Sequence, residues 1–72
     1  MASMMIVRGD DWEGLYIDGR LKREGHSIEL LDALNLAIGS GVTNVDSIWC
    51  DLDWLHDVGN LPQNFDDVKR AA

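Results

Sequence analysis

The chain has 72 residues, an apolar content of 46% and a formal net charge of −7. This length allows one domain with a small core, and the apolar content is too high for a disordered acidic tail. A single cysteine excludes an internal disulfide, and there are too few cysteines and histidines for a structural zinc site. We find no membrane-spanning apolar run and no secretory signal, and the lone thiol fits a reducing compartment, so we expect a cytoplasmic protein.

The negative charge is concentrated in the central and C-terminal part of the sequence. Between Arg23 and Lys69 there is no lysine or arginine, and these 45 residues contain nine acids. The first 23 residues are balanced, with four bases and four acids. A surface of one sign repels nucleic acid and anionic membranes and favours a basic partner. We therefore expect no direct binding to nucleic acid or membrane.

The N-terminal third predicts a three-stranded antiparallel meander over residues 4–24. A short apolar run at 4–7 is followed by a turn cluster, and aromatic and β-branched residues resume at Trp12. The dipeptide Asp18-Gly19 favours a type I′ turn, because both central residues of that turn need a positive φ. The segment after the dipeptide is then the third strand.

A helix is predicted over residues 28–38. Ser27 is a suitable N-cap, and Gly39 is placed for a left-handed C-terminal cap. Apolar residues recur at three- and four-residue spacing, which is typical of the apolar face of a helix. These residues are Leu30, Leu31, Leu34 and Ile38, with Ala33 and Ala37 between them.

Residues 45–52 alternate in polarity, which predicts a strand half buried against this helix. In this strand Ile48 and Cys50 are expected to point inward and Trp49 outward. The strand is expected to be the last one of the sheet.

A short helical turn is predicted after this strand, with Asp53 as its cap and Gly59 as its terminator. The inward residues of the turn are expected to be Leu55 and Val58. An irregular C-terminal segment comes next, and its apolar residues are expected to pin it to the core. These residues are Phe65 and Val68.

The order β-β-β-α-β predicts an α+β fold, with a small antiparallel sheet and one helix packed on one face. The single domain spans residues 4–68, and residues 1–3 and 69–72 are expected to be flexible termini. The other sheet face needs a cover, and the outward Trp49 indicates a second subunit. A chain this short gains stability from association, so we expect a homodimer.

Two patterns bear on catalysis. The stretch Ile48–Asp53 ends in Asp-x-Asp and resembles the aspartyl pair of haloacid-dehalogenase-type phosphotransferases. However, Trp54 follows the second acid, no lysine is near, and the chain is too short for that fold. The inward Cys50 is expected to behave as a small apolar residue and not as a nucleophile. We predict a non-catalytic protein without a cofactor.

The alternative is a site for a divalent metal or a small molecule at the junction of the last strand and the turn. Carboxylates with a histidine suit several divalent cations. The candidates, which lie near Trp49 and Trp54, are Asp51, Asp53, His56 and Asp57. A solvated acidic face is the simpler interpretation of the same residues, and we expect no metal there.

The leading hypothesis is a protein-binding module whose acidic region, residues 46–67, engages a basic partner. Aromatic residues dominate binding hot spots, so they are included among the expected contacts. The expected contact residues are Asp46, Asp51, Asp53, Asp57, Trp49 and Trp54. The bases at 20–23 and the acidic half are also self-complementary and can pair two copies. A homo-oligomeric structural component without a soluble ligand is a third hypothesis.

Parts of the sequence resemble small uncharacterised proteins of phages, prophages and other mobile elements. Those chains open with a similar Asp-Trp-x-Gly-Leu-Tyr hairpin, matched here by residues 11–16. They close with similar motifs, matched by Trp54-Leu55, Gly59–Pro62 and Asp67-Val68. The resemblance implies an accessory protein of a mobile element, which by analogy binds and blocks a host protein. It implies no site residues.

Overall fold

The structure is a computed structural model that describes residues 2–71. Its elements are β1 (Ala2–Arg8), β2 (Glu13–Ile17), β3 (Arg20–Gly25), α1 (Leu30–Ser40), β4 (Val42–Trp49), α2 (Leu52–Val58) and a 3-10 turn (Phe65–Asp67). The four strands form one sheet in the order β3-β2-β1-β4. The predicted α+β class is confirmed, and the predicted short helical turn is the helix α2.

Two antiparallel pairings build the first half of the sheet, from β1 to β2 and from β2 to β3. The turn between β2 and β3 has φ values of 50° at Asp18 and 82° at Gly19. Both central residues therefore adopt the positive φ that a type I′ turn requires, which is the reason for the Asp-Gly dipeptide at this place. The meander and its turn match the prediction.

The fourth strand adds a parallel pairing that its alternation pattern did not reveal. β4 lies beside β1 with Met4 next to Val45, and the sheet is mixed. Parallel neighbours need a crossover connection, which α1 supplies. β4 covers Val42–Trp49 in place of the predicted 45–52.

The late residues of the predicted strand belong to the start of α2. Asp51 is the N-cap of this helix, in place of the predicted Asp53, because its side chain accepts the Trp54 N–H. Leu55 is buried as predicted, and the backbone N–H of Gly59 ends the helix. Val58, which was predicted to point inward, is 48% exposed, because it lies on the last turn and away from the sheet.

One face of the sheet, called the α1 side, carries α1. Ala33, Leu36 and Ala37 of the helix pack against a buried cluster that includes Met4 and Leu15. The small alanines let the helix backbone lie close to the sheet. The predicted apolar stripe points elsewhere: Leu30, Leu31, Leu34 and Ile38 are all more than half exposed.

The ends of α1 also differ from the prediction. Glu29 stands at the N-cap position without a side-chain cap hydrogen bond, and Ser27 does not cap the helix. At the other end Gly41, with φ of 69°, is the left-handed C-cap in place of Gly39. The helix continues past Gly39 because Gly41 provides the backbone conformation that ends it.

The opposite face, called the α2 side, is covered by α2 and the C-terminal segment. Its buried cluster is formed by Val7, Tyr16, Cys50, Leu55 and Leu61, and Phe65 and Val68 pack against it as predicted. The segment crosses the whole face. Near β3 the Leu21 N–H donates to the Gln63 carbonyl, and at the end of β4 Cys50 pairs with Arg70. The cover expected from a second subunit is thus supplied by the chain itself.

At both ends of the chain, secondary structure or backbone hydrogen bonds are found outside residues 4–68. Ala2 is a buried residue of β1, only 6% exposed. The Asp51 N–H donates to the Lys69 carbonyl, and the Ala71 N–H donates to the Trp49 carbonyl. The two outermost residues of the predicted flexible termini, 1 and 72, lie outside the described residues. Within residues 2–71, neither helix has the length and apolarity to cross a membrane.

Candidate functional site

A shallow cleft lies where the parallel strands β1 and β4 end. Its volume is about 200 Å³, and its walls include Arg8, Trp12, His26 and Trp49. The carboxyl ends of adjacent parallel strands are where open sheets bind ligands. The cleft is therefore the first place at which to look for a small-molecule site.

The side chains around the cleft are paired with one another. The Arg8 guanidinium carbon lies 4.9 Å from the centroid of a Trp49 ring, a cation–π distance. The Trp12 indole N–H donates to Glu24 Oε1 at 3.1 Å. The same indole meets the His26 ring edge-on, with 5.1 Å between the centroids. These contacts fix the shape of the cleft and engage its basic and aromatic side chains.

One histidine–carboxylate pair stands at the cleft. His56 Nε2 lies 3.1 Å from Asp10 Oδ2, and both side chains are exposed. The hydrogen bond from His56 lowers the pKa of the Asp10 carboxyl. The nearby Cys50 is buried, and burial raises the pKa of its thiol, so it is protonated at neutral pH. A base and a carboxylate come together here, but the cysteine beneath them is not an activated nucleophile.

Asp51, one of the predicted contact residues, has a structural role. Its Oδ1 accepts the Trp54 N–H at 2.9 Å and so caps α2. Its Oδ2 lies 3.8 Å from Lys69 Nζ. Trp54 is itself partly buried against the core of the α2 side. This pair therefore holds the helix in place and presents little free surface.

The remaining predicted acids are exposed on the α2 side. Asp53 and Asp57 lie one turn apart on α2, on the face away from the buried Leu55. Asp46 lies on β4 beside Met5, which packs on the α2-side core. Its carboxylate accepts only the N–H of the next residue.

Two further acids share this side, on the 3-10 turn. Among residues 2–71, the four acids of α2 and the turn have no side-chain hydrogen bond and no ion pair. We call the set the acidic surface, and it consists of Asp46, Asp53, Asp57, Asp66 and Asp67. Asp46, Asp53 and Asp57 are among the predicted contact residues, whereas Asp66 and Asp67 belong to the predicted acidic region 46–67 without being named as contacts.

Trp49 lies on the other face. It is 53% exposed on the α1 side, beside the end of β4. The six predicted contact residues therefore do not form one surface. They divide into a free acidic set, a capping pair and one aromatic residue on the opposite face of the sheet.

The alternative metal set does not assemble. Asp51 is engaged as a helix cap, and His56 faces Asp10. In the part of the chain that the structure describes, no three His, Cys, Asp or Glu side chains are grouped so that they could hold a metal ion.

One exposed apolar feature was missed from the sequence. It lies on the α1 side, and we call it the apolar surface: Leu30 (73% exposed), Leu31 (60%), Leu34 (51%), Ile38 (79%), Val45 (60%) and Trp49 (53%). The signal was present, because α1 is apolar on nearly every side, and such a helix is normally buried all round. The leucine spacing assigns these residues to the face toward the sheet, which is wrong.

Comparison of the chain with protein-family models, with curated proteins and with solved structures gave no match. The resemblance to proteins of mobile elements therefore stays a prediction.

Proposed function

We propose that the chain is a small non-catalytic module that binds a basic protein through the acidic surface of its α2 side. The observation that carries the proposal is the set of exposed carboxylates on α2 and the 3-10 turn, which have no partner among the described residues. By analogy, the mobile-element resemblance suggests a host protein as the partner, and the negative charge of the surface favours a basic one.

The bases closest in sequence to these acids are engaged elsewhere. Lys69 lies near Asp51, and the Arg70 guanidinium carbon stands 5.5 Å from the centroid of the Phe65 ring. Asp53 and Asp57 are also a like-charged pair at i, i+4, which costs an isolated helix about 0.2–0.5 kcal/mol. A basic partner would relieve this repulsion, which gives the pair a reason to exist on so short a helix.

Only three of the six contact residues predicted from the sequence belong to the acidic surface. These are Asp46, Asp53 and Asp57. Asp51 and Trp54 are omitted because they are engaged in capping and packing. Trp49 is omitted because it faces the other side of the sheet.

The test is affinity capture from source-cell lysate with the double variant Asp53→Asn/Asp57→Asn beside the native chain. We expect the native chain to retain a basic protein at low salt and to release it at high salt, because salt screens exposed charges. The double variant should retain at least tenfold less.

The matched control is Asp11→Asn/Glu29→Gln, which removes the same charge from exposed positions outside the acidic surface. It should retain the basic protein as the native chain does. Equal losses in both double variants would mean that net charge, and not this surface, governs binding. The proposal would be contradicted if a captured protein were retained equally at low and high salt and equally by the native chain and by Asp53→Asn/Asp57→Asn.

A further inference from the structure

The outer edge of β4 is open along most of its length. β4 is the last strand of the sheet. Among the described residues its outer side is paired only at the end, where the Ala71 N–H donates to the Trp49 carbonyl. The stretch 42–48 carries one charge, Asp46, and no lysine or proline. Native proteins normally block such an edge with charges, prolines or bulges, because it is a template for a further strand.

The apolar surface stands directly beside this open edge. Arg23 Nε lies 2.9 Å from Asp32 Oδ2, which ties one flank of α1 toward β3. Helical spacing places Leu30, Leu34 and Ile38 on the opposite flank, toward β4. Val45 and Trp49 of β4 project from the same face of the sheet. An occupant of the edge would therefore meet apolar side chains above it.

We propose that the occupant is a second copy of this chain, paired through antiparallel β4 strands around a two-fold axis at Val45. Such an axis perpendicular to the sheet produces one eight-stranded sheet with both α1 helices on the same side. The β4 strand of each copy would pair with the open edge of the other. The apolar side chains of each copy would cover those of the other. The two apolar surfaces then close over the central strands.

The exposed area is of the size that a dimer needs. The exposed fractions of the six side chains amount to roughly 600 Å² per copy, at the upper end of the apolar patches of ordinary monomers. Two copies would bury on the order of 1,200 Å², which is the lower end of specific interfaces. A 72-residue chain also has a small core of its own and gains stability from this burial.

The position of Asp46 and the length of the open stretch 42–48 determine the register in which the two β4 strands pair. Residues that oppose one another across antiparallel strands point to the same face, so the axis must pass through a residue. An axis at Asp46 would oppose two carboxylates, which is destabilising. An axis at Val45 places Asp46 opposite the partner's Asn44, an amide that can donate to it. Val45 is also the centre of the open stretch 42–48, so this axis pairs its whole length.

This register brings the most exposed apolar residues together. The pairing ends where Ile48 comes opposite the partner's Val42, because Ala71 already occupies the outer side of Trp49. Trp49 then lies just past this pair, near the helix end that carries the partner's Ile38, and Ile38 is 79% exposed in the single chain.

Cross-linking tests the register. In Val45→Cys the two introduced thiols would be directly opposed, with Cβ atoms about 4.5–5.5 Å apart, and mild oxidation should yield a covalent dimer. Ser47→Cys is the matched control, on the same strand and face. Its two copies would be about 13 Å apart, four residues along the strand, and should not cross-link. Equal cross-linking of both variants, or of neither, would overturn the proposal.

Sedimentation of the full chain tests the surface. We expect the native chain to dimerise and Leu34→Glu to raise the dimer Kd at least tenfold. Asn35→Glu adds the same charge at a neighbouring exposed position off this flank and should leave Kd within threefold. Both positions are exposed, so folding should survive, which circular dichroism checks. A native chain that stays monomeric to about 1 mM, or a dimer indifferent to Leu34→Glu, would overturn the proposal.

Salt separates this proposal from the binding of a basic protein. Two copies that each carry a charge of −7 repel one another, so added salt should strengthen the dimer or leave it unchanged. Salt weakens the binding of a basic protein to the acidic surface. Either proposal can therefore fail without the other.

Discussion

The two faces of the sheet close over their helices to very different degrees. On the α2 side, Leu55 of the helix and Leu61 of the C-terminal segment are 3% and 4% exposed. On the α1 side no residue of the helix is fully buried, and Leu30 and Ile38 are more than 70% exposed. An amphipathic pattern thus tells that a helix has an apolar face, but not which neighbour that face meets.

The cause of the difference is the course that the chain takes after each helix. After α2 the chain returns across the same face and adds Leu61, Phe65 and Val68 to one cluster. After α1 the chain enters β4 at once, and nothing else in the described residues covers that helix. Each side has a buried cluster, but only on the α2 side is the outer layer itself covered.

The largest contrast should come from truncating one leucine on each side. Leu55→Ala removes a buried side chain and leaves a cavity, so we expect a loss of about 3 kcal/mol in the free energy of unfolding. Leu31→Ala, at a position 60% exposed, should cost less than about 0.5 kcal/mol. Urea unfolding at a concentration at which the chain is monomeric measures both.

Similar losses at the two positions would break the comparison, because they would mean that α1 is as well packed as α2. Repeating the urea unfolding at a high protein concentration tests whether the apolar surface is buried in a dimer. If the apolar surface pairs two copies, the cost of Leu31→Ala should rise with concentration while that of Leu55→Ala does not.

The next contrast concerns how the C-terminal segment is held on the α2 side. The Tyr16 hydroxyl donates to the Pro62 carbonyl at 2.6 Å, and the ring packs edge-on against Phe65. Tyr16→Phe keeps the ring and removes the donor, which should cost about 1–2 kcal/mol of unfolding free energy. The control is Thr43→Val, which also removes only a hydroxyl donor, here one that bonds the Ala2 carbonyl away from the C-terminal segment, and should leave that segment in place.

Because the Tyr16 hydroxyl is neutral in the folded chain, we expect the free energy of unfolding to depend on pH in the alkaline range. Burial, with a smaller contribution from the charge of Glu24, raises the pKa of Tyr16 from 10.0 to about 12. The raised pKa means that the folded chain favours the neutral phenol. The stabilisation is complete below pH 10 and is lost as the pH rises toward 12. Tyr16 is the only tyrosine, so its absorbance titrates it directly, and a midpoint near 10 in the folded chain would contradict this.

The sequence predicted the elements whose causes are local. Asp18-Gly19 predicts its turn because the backbone conformation is required by those two residues themselves. Three other predictions agree with the structure. Leu55 points inward, Gly59 ends α2, and the core is contacted by Phe65 and Val68. The apolar character of Leu55, Phe65 and Val68 in polar surroundings was enough to predict their burial, although they pack against distant residues such as Val7 and Tyr16.

The features that depend on distant segments could not be predicted. The parallel partner of β4 is β1, at the other end of the domain's sequence, and nothing in the alternation of β4 names it. The orientation of α1 follows from its alanines lying on the sheet, whereas leucine spacing suggested another face. The role of Asp51 changed because the strand ends at Trp49, which turned an expected contact residue into a helix cap.

The smallest effects compare the N-caps of the two helices. Asp51 accepts the Trp54 N–H at the start of α2, whereas Glu29 at the start of α1 makes no such bond. Asp51→Ala should therefore cost about 1 kcal/mol, and Glu29→Ala only a few tenths. Asp51→Asn is the control, because it keeps the cap acceptor and removes the charge that interacts with the helix dipole and with Lys69, so it should cost less than Asp51→Ala.

The converse substitution sharpens the comparison further. Glu29 already has the extended backbone of an N-cap, with φ of −64° and ψ of 131°. Glu29→Ser should then gain about 0.5 kcal/mol of unfolding free energy, since serine can accept the free N–H groups of the first turn. No gain in urea unfolding would mean that the first turn of α1 is already satisfied. A gain would show that the first turn of α1 has N–H groups without a partner, in contrast to α2, whose first turn is capped by Asp51.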